Sequence, residues 1–167
     1  MKKVAVIMGS DSDLPVVEKA ITTLQDFGVP IEVHVCSAHR TPEEAARFSR
    51  SASAKGFGVI IAAAGLAAHL AGALAANTIL PVIGIPMAGG VGDGLDALLS
   101  TVMMPPGVPV ATVGVGGAVN AALLAVQILA VSDPALADKL IAYKQAAAEK
   151  VRKKDQAIQD KYNMIQI

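Results

Sequence analysis

The chain has 167 residues, enough for one domain that buries its own core without disulfides or a structural metal. Its formal net charge is zero and its basic residues are dispersed except from Lys150 to Lys154, so it carries no electrostatic footprint for nucleic acid. Apolar residues make up 53% but aromatics only 3%; glycine and proline break every apolar run before it could span a membrane, so the surplus is expected in subunit contacts. Met1-Lys2-Lys3 runs directly into the apolar Val4 to Met8, which reads as a strand with no signal peptide before it, and a cytoplasmic protein is expected. Gly9-Ser10-Asp11-Ser12-Asp13 follows, and Leu14 to Phe27 has helical spacing. A glycine loop between a first strand and helix suits phosphate, because backbone amides approach the anion and Ser10 and Ser12 add hydroxyl donors. It lacks the Gly-Lys-Ser/Thr ending of a P-loop and the full Gly-x-Gly-x-x-Gly pattern, which disfavours nucleoside triphosphate and NAD. Asp11 and Asp13 would repel a bare phosphate, so at least one is expected to cap the helix or accept hydrogen bonds from ribose.

Ile31 to Val35 alternates as a second strand and leads into Cys36-Ser37-Ala38-His39-Arg40-Thr41-Pro42. In an open α/β sheet this is site territory, because ligands bind outside the carboxyl ends of strands. Histidine exchanges a proton near neutral pH, and arginine offers a planar fork of donors to phosphate or carboxylate. Together His39 and Arg40 point to an anionic substrate that exchanges a proton. Thr41 as N-cap, Pro42 at the first helical position and Glu43 and Glu44 facing the dipole account for the helix that follows, to Gly56, but not for His39 and Arg40. Cys36, the single cysteine, forms no intrachain disulfide and no cysteine metal cluster; ending an apolar strand, it reads as a small core residue.

Val59 to Ala64 is a third buried strand running into Gly65-Leu66-Ala67-Ala68-His69-Leu70, where a histidine again follows a strand. Pro81 to Pro86 is a fourth, followed by a glycine-rich loop, Met87 to Gly94, that reads as mobile or ligand-approaching, and by a helix from about Leu95 to Val102. Val108 to Val115 reads as the fifth strand, and Ala118 to Val131 as a helix with almost no polar face, expected to be covered partly by a neighbouring subunit. Asp133-Pro134 starts a last helix, about 134–162, whose lysines form a solvated face. Five strand-helix units in series predict a single domain over 1–167: a doubly wound, parallel, five-stranded sheet, flavodoxin-like in a three-layer αβα arrangement, with an extra C-terminal helix.

Met8-Gly9-Ser10-Asp11-Ser12-Asp13, Ser37-Ala38-His39-Arg40-Thr41-Pro42 and Gly65-Leu66-Ala67-Ala68-His69-Leu70, in this order and spacing, resemble the motifs of the N5-carboxyaminoimidazole ribonucleotide mutase family of purine biosynthesis. Leu98-Leu99-Ser100, Met104-Pro105, Pro109-Val110 and Asn120 to Ala125 resemble its later blocks. The resemblance implies a homo-octamer with sites near subunit contacts, the C-terminal helix on a neighbouring subunit, a ribonucleotide substrate, and no metal or other cofactor. It implies carboxylate transfer from the exocyclic nitrogen to C4 through carbon dioxide held in a closed site. It assigns Ser10, Asp13 and Arg40 to the phosphoribosyl group with Ser12 nearby, His39 to acid-base catalysis, and Ala64, Gly65, His69 and Leu70 to the carboxylate pocket; Ser37 and Ala38, flanking His39, join the substrate-binding set.

The match departs from the family pattern in places. Ala71 stands for a usual proline, Ala63 and Leu66 for glycines, Ala88-Gly89 for Gln-Ser and Met103 for glutamine, and the Gly116-Gly117-Ala118 loop is shorter. A sister branch that carboxylates the aminoimidazole ribonucleotide directly tends to carry lysine at Arg40 and a polar pair at Ala68-His69, and this sequence sides with the mutase at both. A non-catalytic nucleotide-binding module would need the phosphate loop but not His39.

Overall fold

The strands alternate side chains between two apolar layers, and that pattern builds the molecule. In the computed structural model, which describes residues 1–163, β1 (Lys3–Met8) sends Val4, Val6 and Met8 to one face and Ala5 and Ile7 to the other, all at most 1% exposed. A strand buried on both faces is a continuous apolar run, as expected of a parallel sheet covered by helices on each side. With β2 (Ile31–Val35), β3 (Phe57–Ala64), β4 (Val82–Pro86) and β5 (Ala111–Thr112) it forms a five-stranded parallel sheet in the order β2-β1-β3-β4-β5. This is the flavodoxin-like order. Helices α1 (Leu14–Asp26), α5 (Ala118–Ala130) and α6 (Pro134–Tyr162) pack on the side of Val4, Val59, Ile61 and Ile83. Helices α2 (Pro42–Ala52), α3 (Leu70–Ala75) and α4 (Leu95–Val102) cover the side of Ala5, Ile60, Ala62 and Gly84.

Several local expectations shift. The fifth strand is only Ala111–Thr112, because Pro109 has no N–H to give the ladder and only β4 flanks it. The chain still follows β4 beyond that point, through Val113 N donating to Gly84 O at 3.1 Å and Gly116 N to Pro86 O at 2.9 Å. Helix α2 ends at Ala52 rather than Gly56; turns carry the chain on to Gly56, whose φ of 86° reverses it into β3. The apolar helix α5 is mostly covered by its own chain, with Ala118, Ala121, Ala122, Ala125, Val126 and Leu129 buried between the sheet, α1 and α6. Uncovered apolar surface lies elsewhere. Leu95, Leu99 and Val102 form a stripe along α4 beside Val91 and Met103, and α6 buries only Leu136 and Leu140 before running out to Tyr162 with Ile141, Val151 and Ile158 exposed. No helix among the described residues is long and apolar enough to cross a membrane.

One buried polar atom is orphaned. Ser49 lies on the core face of α2 with Ala45 and Ala52, 1% exposed, and its Oγ has no hydrogen-bond partner. Burying an unpaired hydroxyl costs on the order of 1–3 kcal/mol, and alanine is the better helix former. Ser49→Ala is therefore expected to raise the melting temperature by about 2–4 °C, the shift that about 1 kcal/mol produces in a domain of this size; a lower melting temperature by calorimetry would contradict this account of α2.

Candidate active site

Parallel pairing sets where the site lies. β1 ends level with its neighbours, Met8 opposite Val35 of β2 and Ala63 of β3, while Ala64 of β3 pairs with Pro86 of β4. From β1 the chain crosses to β2 on one side, and from β3 to β4 on the other, so the loops after β1 and β3 diverge and leave a crevice between them. The crevice is a cleft of about 620 Å³. All of the residues singled out in the sequence line it: Ser10, Ser12, Asp13, Ser37, Ala38, His39, Arg40, Ala64, Gly65, His69 and Leu70.

The turn that presents His39 is held by its own hydroxyls. Thr41 sits at the N-cap of α2, but its Oγ1 does not cap the helix; it donates to Ser37 O at 2.9 Å and accepts from Ser37 N at 3.1 Å. Cys36 Sγ lies 3.6 Å from the same hydroxyl, half-buried against the α2–α3 core, which fits a packing role. Ser37 Oγ accepts from Arg40 N at 3.2 Å, and Arg40 reaches back across the β1 loop to donate to Gly9 O at 3.4 Å. Arg40 and the β1 loop therefore form one end of the cleft. There Ser12 Oγ donates to Ser10 Oγ at 2.8 Å, which gathers two hydroxyls beside the guanidinium.

Asp13 completes that end. It occupies the N-cap position of α1 without a side-chain capping bond. Burial holds its carboxyl above the usual carboxylate range; a hydrogen bond from the Ser10 backbone opposes this, and the negative charge of Asp11 adds to it. Because the folded-state value lies above the unfolded one, the ionised carboxylate costs stability above the folded value, and the cost disappears as pH falls below the unfolded value. A ligand that donates hydroxyls to Asp13 would offset that cost. The structure thus gives Asp13 no capping bond, leaving its carboxylate available to the cleft.

At the other end two imidazoles meet. His39 Nε2 lies 2.9 Å from His69 Nδ1, with the rings nearly perpendicular at 79°. One of the two nitrogens must carry the hydrogen and the other accept it, so the pair holds one proton between the rings. His69 is placed by the start of α3, where its N–H donates to Ala67 O at 2.8 Å and its carbonyl accepts from Ala73 N at 2.9 Å. Ser100, from α4, pins that loop: its Oγ accepts from Ala68 N at 3.0 Å and donates to Asp96 O at 2.6 Å, with Leu66 O 3.3 Å away. The resemblance marks Leu98-Leu99-Ser100 as a family block, but nothing local in the sequence tells that Ser100 holds a loop 32 residues before it.

Gly9, Leu66, Ala67 and the Met87–Gly90 segment also line the cleft. The glycine run after β4 was the signal for the last of these. Of the departures from the family pattern, Ala63 and Ala71 lie in the core, Ala71 on the sheet face beside Gly84, and Met103 is 75% exposed; Leu66, Ala88 and Gly89 face the cleft. Among the described residues no group of three His, Cys, Asp or Glu side chains converges to hold a metal.

Known proteins resemble this arrangement throughout. A Pyrococcus abyssi N5-carboxyaminoimidazole ribonucleotide mutase is 56% identical over 145 residues, 87% of this chain and 83% of its own length. The Mycobacterium tuberculosis protein of the same name is 54% identical over 157 residues, covering 94% and 90%. The solved structure of Treponema denticola PurE superimposes with a TM-score of 0.84 at 30% identity, covering 92% of this chain and 96% of that one. The profile of the AIR carboxylase family matches residues 3–150, and with the sheet order, the cleft and these relatives in agreement, the chain belongs to the AIR carboxylase family.

Proposed function

We propose that this chain is an N5-carboxyaminoimidazole ribonucleotide mutase, an isomerase of purine biosynthesis that moves a carboxylate from the exocyclic nitrogen to C4 of the aminoimidazole ring. The observation that carries the reading is the His39–His69 contact at one end of a cleft whose other end gathers Arg40, Ser10, Ser12 and Asp13. Arg40 and the two serines hold the phosphate, and the Asp13 carboxylate accepts from ribose hydroxyls. The base then lies toward the histidines and the apolar wall of Ala64, Gly65 and Leu70.

The reaction moves one proton out and back. The N–C bond of the carbamate breaks, its electron pair stays on nitrogen, and protonated His39 donates a proton there as carbon dioxide departs. C4 attacks the carbon dioxide to form the C–C bond, and His39 removes the C4 proton, returning to its starting state. No proton is gained or lost overall. His69 assists by accepting the Nε2–H of His39 when that ring is protonated, which fixes the orientation of the donor. An apolar wall around the freed gas slows its loss and limits entry of water.

The chain works as an oligomer, an octamer by resemblance to its family. The α4 stripe of Leu95, Leu99 and Val102 and the outward run of α6 are the surfaces that neighbouring copies would cover.

Three measurements test this reading. His39→Asn should keep ribonucleotide affinity near wild type while turnover falls at least about 100-fold, the low end of what a positioned acid or base supplies; near-normal turnover would remove His39 from the mechanism. Substrate labelled in its carboxylate should convert without ATP or added bicarbonate and keep its label, whereas full exchange with solvent bicarbonate and efficient carboxylation of the uncarboxylated ribonucleotide would favour the direct carboxylase. Sedimentation at micromolar concentration should show a species several times the 17.0 kDa chain, and a soluble monomer would count against the assembly.

A further inference from the structure

The two loops that bring His39 and His69 together are not held in the same way. The Ser37–Thr41 turn carries its own hydroxyls and closes on itself. Gly65-Leu66-Ala67-Ala68 has no polar side chain, and among the described residues Ala68 N is the one amide of these four with a hydrogen-bond partner. The chain also turns at Leu66, whose φ of 55° lies in the left-handed region. The loop before His69 therefore depends on a group from elsewhere, and that group is the Ser100 hydroxyl of α4.

Helix α4 is a firm base for that hydroxyl. Ala97 and Thr101 are buried against the sheet, and Thr101 seats so closely on β4 that a Cβ at Gly84 would lie 2.3 Å from its Cγ2. Ser100, one residue earlier, faces the β3 loop. It donates its hydrogen to Asp96 O at 2.6 Å, which leaves a lone pair for Ala68 N, 3.0 Å away. Ala68 is 1% exposed, so loss of this bond would strand a buried amide. His69 is the next residue, and its ring places Nδ1 2.9 Å from His39 Nε2.

We infer that Ser100 is a positioning residue for the proton-transfer step: by tying Ala68 to α4 it holds His69 Nδ1 against His39 Nε2, so that the ring which exchanges the proton keeps one orientation. This assignment rests on the mutase reading. Ser100 is not part of the cleft lining, and it bonds neither to the groups at the phosphate end nor to the imidazoles themselves. Its effect therefore falls on turnover rather than on affinity. The ordinary role of a helical serine, a bond to the carbonyl four residues back, has a counterpart in Thr101, which donates to Ala97 O at 2.7 Å on the core side of the same helix.

The test compares Ser100→Ala, Ser100→Thr and Thr101→Val in the full-length protein, with N5-carboxyaminoimidazole ribonucleotide as substrate. Ser100→Ala should lower kcat at least about tenfold, since a small misplacement of a reacting group is costly, while KM stays within about twofold of wild type. Ser100→Thr keeps the hydroxyl and should recover most of the turnover. Thr101→Val removes the matching hydroxyl on the core side and should leave turnover near wild type. In proton NMR, the low-field N–H resonance of the imidazole pair, identified by its loss in His39→Asn, should persist in Ser100→Thr and Thr101→Val and fade in Ser100→Ala. If the alanine variant does not fold, Ser100→Cys, whose thiol is a weak acceptor, should show the same loss in smaller measure. Normal turnover without the Ser100 hydroxyl, an equal loss in Thr101→Val, or lost turnover beside an intact imidazole resonance overturns the assignment to Ser100 and leaves the mutase reading intact. Wild-type protein that does not convert the substrate overturns the mutase reading and this inference with it.

Discussion

The level at which neighbouring parallel strands end is the constraint on which the site depends. Because β1, β2, β3 and β4 end in register, four loops that are far apart in sequence emerge at one edge of the sheet. Each is fixed by a few hydrogen bonds: the Ser10–Ser12 hydroxyl pair, the Ser37–Thr41 turn, the hold of Ser100 on Ala68, and the carboxylates of Asp93 and Asp96 on the glycine loop. The sheet supplies the position and these bonds supply the orientation, a division that lets chemistry vary while the core stays closed.

The two ends of the cleft rely on different physics. Around Arg40 and Asp13 the groups that line the cleft are charges and hydroxyls, and bonds within the protein already arrange them. Around Leu66, Ala64 and Leu70 the surface is apolar, and what matters is which molecules it admits. His39 and His69 stand where these regimes meet. A proton carrier at such a boundary can reach the substrate while water has only one side from which to approach.

Much of this was legible in the sequence. Unbroken apolar runs gave the strands, and glycine, proline and capping residues gave the breaks, so the αβα layers were foreseeable, and the eleven candidate residues line one cleft. What could not be read were contacts made across long separations. The approach of His69 to His39 spans 30 residues and that of Ser100 to Ala68 spans 32, and no periodicity encodes either. Nor did the sequence show where the uncovered apolar surface would concentrate: most of α5 is covered within the chain, and α4 and α6 expose more of it. The fifth strand was overlong because β-branched residues from Val108 to Val115 mask the missing donor at Pro109.

The length of α6 ties secondary structure to concentration. Past Leu140 the helix continues for more than twenty residues with no fully buried side chain; Tyr143 still packs its ring on Phe27, 5.7 Å between centroids, and beyond it only Ala148 is half-buried. A helical segment without tertiary packing is marginal in water, since nucleation is costly and each added residue contributes little. The distal half of α6 is therefore conditional on whatever covers it. Were copies of this chain to cover it, dilution that separates them would melt that half while leaving the sheet and the cleft loops folded, and helical content would then report assembly.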